Sequence, residues 1–190
     1  MYVIHLIILA IMGINPIRYV KKTLEVLIFA FTSRSSAGAL PLNVQTQTQR
    51  LGVPEGIANF SASFGLSIGQ NGCAGIYPAM LAIMVAPVAH VDIDIPFILT
   101  LIAVVVISSF GVAGVGGGAT FASILVLSTL NLPVALAGVL ISIEPIIDMG
   151  RTALNVNDSI LAGTGTARLT GNLDKEKFNS NHYGELSTES

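Results

Sequence analysis

Long apolar runs alternate along this chain with short clusters of serine, glycine, proline and amide residues. Met1 to Ile14 is apolar with His5 inside it, and falls short of the roughly 20 residues a helix needs to cross a bilayer. It predicts a partial helix over 1–14, ended by Asn15-Pro16. Leu24 to Phe31 and the piece beginning at Leu40 flank the polar stretch Thr32-Ser33-Arg34-Ser35-Ser36-Ala37-Gly38. Two arms too short to span, joined by a polar tip, predict a re-entrant hairpin over about 22–50. Gly56 to Leu66 and Ile76 to Val88 enclose Ser67-Ile68-Gly69-Gln70-Asn71-Gly72-Cys73-Ala74-Gly75, which predicts a helix over about 52–89 broken at its midpoint. In hydrocarbon such a break survives only beside protein or a cavity, because unpaired backbone groups there are costly.

Ile95 to Phe110 and Ala119 to Leu130 flank Gly111 to Gly118, predicting a second hairpin over about 95–130 whose glycine tip is suited to act as a gate. Pro133 to Ile147 runs directly into Asp148-Met149-Gly150-Arg151-Thr152-Ala153-Leu154-Asn155, predicting a last helix over about 133–163. From about residue 168 to 190 the chain is polar and reads as a mobile cytoplasmic tail. A hairpin followed by an interrupted helix occurs twice, at 24–85 and 95–163, the repeat pattern of secondary transporters. The predicted fold class is an all-α membrane protein: transmembrane helices, two re-entrant helical hairpins and broken helices.

Charge distribution strengthens the membrane reading. Only 11% of the 190 residues are charged, 52% are hydrophobic, and Lys/Arg and Asp/Glu nearly balance at a net −2. Between Glu55 and Asp92 lie 36 residues without Asp, Glu, Lys or Arg, and between Asp94 and Glu144 another 49. As one helix the longer run would reach about 74 Å, against a hydrocarbon core of roughly 30 Å, so the chain must turn back. Arg18, Lys21 and Lys22 follow the first apolar segment and place that loop in the cytoplasm. No basic stripe exists to track a phosphate backbone, so nucleic acid is not an expected partner. The single cysteine, Cys73, has neither a disulfide partner nor zinc-ligand spacing, and reads as a small packing residue.

Asp148 and Arg151 are ionisable groups in an apolar helix, where each costs about 2.5 to 3.5 kcal/mol at the bilayer centre. Helical spacing puts Asp148, Arg151, Thr152, Asn155 and Ser159 on one face. The pair either stabilises itself one turn apart or clamps a zwitterion, the carboxylate taking an ammonium and the guanidinium a carboxylate. Arg34 either snorkels or sets the field at that site; Ser35 and Ser36 are plausible carboxylate donors. Glu144 is a proton-carrying carboxyl or a buried partner of a basic residue. His5, His90 and His182 share no spacing and read as ordinary interfacial or tail residues. Two enzyme-like patterns lack their context. Gly65-Leu66-Ser67-Ile68-Gly69 has the form of a nucleophile elbow without a surrounding sheet pattern. Gly114 to Ala119 has the form of a dinucleotide fingerprint without its acidic residue. The chain is not expected to be an enzyme.

The segment Thr32 to Pro41, the stretch Gly69 to Tyr77, the glycine tip and Asp148 to Asn155 resemble, in that order, the dicarboxylate/amino acid:cation symporter family. The resemblance runs from about Met1 to Gly163 and implies a plasma-membrane homotrimer whose mobile domain carries substrate as an elevator. Residues 1–167 would be the C-terminal part of that transport domain, and the C-terminus would be cytoplasmic. It implies uptake of L-cystine or a related amino acid with two carboxylates. Arg34, Ser35 and Ser36 would form the first tip, Gly116 and Gly117 the second. Asp148 would bind the amino group and Arg151 the distal carboxylate, with Thr152 and Asn155 completing the clamp.

The coupling ion would be Na+ or H+, with no other cofactor, and its candidate residues are Gly69, Asn71, Asn155, Ser159, Glu144 and Asp158. Where the family's acidic branch has Asn-Met-Asp-Gly-Thr this chain has Gly69-Gln70-Asn71-Gly72-Cys73, an amide for a carboxylate, and a second cation aspartate aligns with Ser159. Asp158 stands about 100° round the helix from that position. Family members are more than twice this length, so the chain is expected to be a fragment without the trimerisation region, inactive alone or a non-transporting remnant.

Overall fold

The computed structural model describes residues 1–112, 117–136, 138 and 142–180, and the described chain is helical throughout, with no strand. The short helix α1 (Tyr2–Ile11) ends at Ile11, before the predicted Asn15-Pro16 break. Asn15 there caps α2 (Pro16–Ser33), its side chain accepting from the Arg18 amide, and Pro16 begins the helix where no amide donor is needed. The first hairpin arm therefore begins six residues earlier than the pattern of apolar residues suggests. At the tip Arg34 closes α2 in the left-handed conformation, φ 55°. The chain then returns through α3 (Leu40–Gln45) and a π turn, Thr46–Arg50.

The broken helix is α4 (Glu55–Ile68), an interruption at Gly69-Gln70, a π turn over Asn71–Ile76, and α5 (Tyr77–Val88). Together Glu55–Val88 spans 34 residues and is long and apolar enough to cross a membrane. The second pair of arms is α6 (Ile95–Ser109), capped by Asp94 on the Phe97 amide, and α7 (Gly118–Thr129). Tip residues 113–116 lie outside the described residues.

Two expectations change at the C-terminal end. The last helix, α8 (Glu144–Leu169), starts with Pro145 in its first turn; Val134–Leu136 is a separate 3-10 turn. Once begun, α8 runs unbroken, so the second half of the repeat ends in a straight helix and the internal symmetry is partial. Residues 168–180 are also not a free tail. The chain leaves α8 and forms α9 (Lys175–Asn179), with Leu173 and Phe178 buried against the same core as Leu51 and Val53.

Two apolar cores flank the middle of the molecule. One gathers Leu9, Tyr19, Val26, Leu51, Val156 and Ile160 from α1, α2, α8 and the turn before α4. The other gathers Tyr77, Leu81, Val85, Leu101, Val126 and Leu127 from α5, α6 and α7. Outward-facing Val3, Ile7 and Ile11 on α1, and Leu99, Ile102, Val106 and Ile107 on α6, leave an exposed apolar surface suited to lipid.

Candidate functional site

The polar stripe predicted on the last helix is present on the first half of α8, where it meets the first tip, the broken helix and the start of α7. Its charged residues form a chain of contacts. Arg34 Nε donates to Asp148 Oδ2 at 3.1 Å. Arg151 Nη2 donates to Asp148 Oδ1 at 3.2 Å and to Glu144 Oε1 at 3.1 Å. Thr120 Oγ1, from α7, donates to the other oxygen of Glu144. Two carboxylates and two guanidiniums thus sum to zero charge, which tempers the cost of burying them. The Asp148, Arg151 and Glu144 side chains are almost wholly enclosed, and Arg34 remains 41% exposed.

Arg151 lies over the Tyr77 ring, its guanidinium carbon 4.0 Å from the centroid. That cation–π contact holds the guanidinium in place beside the ring while its N–H groups remain for hydrogen bonding. Nε and Nη1 are buried and have no hydrogen-bond partner among the described residues. A buried guanidinium with two unengaged nitrogens is equipped to take an anionic oxygen.

An amide layer supports this charged layer and satisfies the interrupted backbone of the broken helix. Asn155 Nδ2 donates to Gln70 Oε1 at 2.9 Å and lies 3.2 Å from Cys73 Sγ, while its Oδ1 accepts the Gly72 amide at 2.7 Å. Gln70 Nε2 donates to the Gly65 carbonyl at 2.8 Å, and Ser36 Oγ from the first tip donates to Gln70 Oε1 at 3.3 Å. Gly72 is required by close approach: a Cβ there would stand 2.9 Å from the Arg151 carbonyl oxygen.

The predicted substrate residues mostly converge. Arg34, Asp148, Arg151 and Asn155 are in or directly beneath the charged chain, Ser36 joins it through Gln70, and Thr152 is buried beside them. Ser35 instead closes the tip's own turn, accepting the Gly38 amide at 2.9 Å. Gly117 begins α7 at φ 86°, and Gly116 lies outside the described residues. The six candidate cation residues separate into different neighbourhoods. Glu144 belongs to the Arg151 cluster. Asn155 and Ser159 border a cavity of about 10 Å³ with Asn43, Gly65 and Gln70, where Asn43 Nδ2 donates to Ser159 Oγ at 2.7 Å. Gly69 caps the C-terminal end of α4. Asn71 and Asp158 meet about 100° round α8 from Ser159, Asn71 Nδ2 donating to Asp158 Oδ2 at 3.1 Å.

That last contact includes a residue whose role sequence reasoning did not find. His5 is buried, its Nε2 2.9 Å from Asp158 Oδ1 and its Nδ1 2.7 Å from Asn157 Nδ2. It is not an ordinary interfacial histidine but a link tying α1 to α8. Gln70, Cys73 and Tyr77 were likewise unmarked as site residues, although all three fall within the motif that carried the resemblance. Among the described residues no group of three or more His, Cys, Asp or Glu side chains is arranged to hold a metal ion.

Residues 1–169 match the sodium:dicarboxylate symporter family. The chain belongs to that family. Its curated relatives include the L-cystine uptake protein TcyP of Shouchella clausii (strain KSM-K16), 71% identical over 179 residues, covering 94% of this chain and 38% of the relative. The proteins of the same name from Bacillus licheniformis and Bacillus thuringiensis (strain Al Hakam) are 67% and 64% identical, each with 39% of its length matched. The chain therefore spans about two fifths of the length of these symporter-family relatives. The family and the relatives' names are those of transporters, not enzymes, and the two enzyme-like patterns lack their folds here. Ser67 is inside α4, donating to the Ser63 carbonyl, and Val104 to Val106 are in α6 rather than a strand.

Proposed function

We propose that this chain forms the substrate-binding part of a secondary symporter that takes up L-cystine, or a related amino acid with two carboxylates, across the plasma membrane. The observation that carries the reading is the buried Arg151 guanidinium, lying over the Tyr77 ring with two nitrogens unengaged, beside Asp148. Asp148 takes the ammonium of one amino-acid head, Arg151 the carboxylate at the far end, and the Ser36–Gln70–Asn155 network the near carboxylate. The names of the relatives support cystine as the substrate, and the family supports cation coupling, an elevator-like movement and assembly as a trimer.

Sodium and proton coupling make different use of this chain. Amides surround Ser159, whereas Asp158 is a carboxylate facing His5 and Asn71. Uptake measured with sodium and pH varied independently separates the two. The reading is tested in a chimera in which this chain replaces the matching segment of the Shouchella clausii protein, produced in cells without other cystine uptake. The chimera should accumulate labelled cystine, and Arg151→Ala should lower uptake at least about a hundredfold with membrane insertion unchanged, as loss of a buried charge-assisted pair implies. Unchanged uptake by that variant overturns the assignment.

A further inference from the structure

Glu144 stands beside the clamp just described, with no group of the substrate yet assigned to it. Its carboxylate shares Arg151 Nη2 with Asp148, at 3.1 Å against 3.2 Å, and it lies one turn earlier on α8. Its other oxygen is fixed by the Thr120 hydroxyl of α7, so the group is oriented from two elements and is largely buried. Both carboxylates reach one nitrogen, Arg151 Nη2, from backbone positions that four residues of helix set about 6 Å apart along the axis. That is the scale of two amino-acid heads joined by a short bridge. A substrate of that kind presents two ammonium groups and two carboxylates, and the clamp of Asp148 and Arg151 leaves its far ammonium unmatched.

We propose that Glu144 is a specificity-determining residue that accepts the second ammonium group, so that the site selects substrates with two complete amino-acid heads over dicarboxylates with one amino group. The inference rests on the transporter reading above and refines it. Charge count supports it independently of names. Glu144, Asp148, Arg34 and Arg151 sum to zero. A doubly zwitterionic substrate keeps the enclosed site neutral, whereas aspartate or glutamate would bring one uncompensated negative charge into a low-dielectric setting. Nε and Nη1 of Arg151 lie on different edges of the guanidinium, and either one can meet an oxygen of the incoming far carboxylate while Nη2 stays on Glu144, so the far head would be bound by an adjacent acid and base.

The experiment compares two probes in the chimera: labelled L-cystine, and the mixed disulfide of L-cysteine with 3-mercaptopropionate, which keeps both carboxylates and the disulfide but lacks one ammonium. Wild type should prefer cystine by about tenfold or more, the worth of one charge-assisted hydrogen bond. Glu144→Gln introduces an amide whose oxygen can still accept from Thr120, and it should weaken cystine about tenfold; because it leaves the site with one excess positive charge it should strengthen the mixed disulfide, so that the preference is erased or reversed. Glu144→Asp, which keeps the charge, should retain part of it. Equal handling of the two probes by wild type, or a parallel loss of both in Glu144→Gln, overturns the inference; the wild-type arm decides even where the variant fails to insert. Cystine uptake with no selectivity sinks only this assignment, whereas transport of neither probe sinks the transporter reading as well.

Discussion

The two helical hairpins are held to the rest of the molecule by different forces. The first is stitched by polar contacts from tip to base. Arg34 and Ser36 bind at the tip, Asn43 bonds Ser159, Gln47 bonds Asn43 and Ser61, and the buried Lys22 ammonium donates to the Arg50 and Lys177 carbonyls at 2.7 Å each. Against this, the arms of the second make one side-chain hydrogen bond to another element among the described residues, Thr120 to Glu144, and otherwise pack through Leu101, Val126 and Leu127 on α5. Directional bonds fix one geometry, and apolar side chains next to lipid tails have little to lose by sliding. The contrast predicts that the first hairpin is the more firmly held and that the arms of the second are the more easily displaced.

The most severe way to break that contrast is at the base of the first hairpin. Lys22→Ala removes the ammonium that bonds the buried Arg50 carbonyl and the part-buried Lys177 carbonyl and should cost about 3 kcal/mol, read as a fall in the unfolding midpoint of the protein in detergent micelles. A negligible shift would show that the base is not held there. Next is Gly163→Ala on α8, whose Cβ would collide with Gln47 and Ser61 and should cost about 2 kcal/mol by forcing that amide out of its bonds. Smallest is Thr120→Val, about 1 kcal/mol, which should speed amide hydrogen exchange in α7 while leaving α2 and α3 as they were. Equal protection of the two hairpins before any substitution would dissolve the distinction.

Much of this architecture was legible because its breaks are local. Asn15-Pro16, the serine-rich tip and the glycine and amide cluster at 69–75 each interrupt a helix through chemistry carried by adjacent residues. The stripe on α8 was legible because 3.6-residue periodicity is a local property. What escaped was pairing across long separations. His5 and Asp158, or Gln70 and Asn155, carry no sign of each other in sequence. The stretch after α8 looked like solvent-exposed tail because its charges outnumber its apolar residues, yet two of those, Leu173 and Phe178, suffice to dock it. Arg18 and Lys177 add bonds there that composition treats as ordinary surface charge. The late start of α8 shows a further limit. Hydrophobicity continues through Pro133 to Ile147, but the long helix begins only at Glu144.

Tyr77 beneath the Arg151 guanidinium has a practical consequence. The chain has four tyrosines and no tryptophan, so its ultraviolet emission is phenolic and undiluted by indole. A ligand that draws the cation off that ring changes the surroundings of a native fluorophore, giving an optical titration that requires no dye, label or engineered probe.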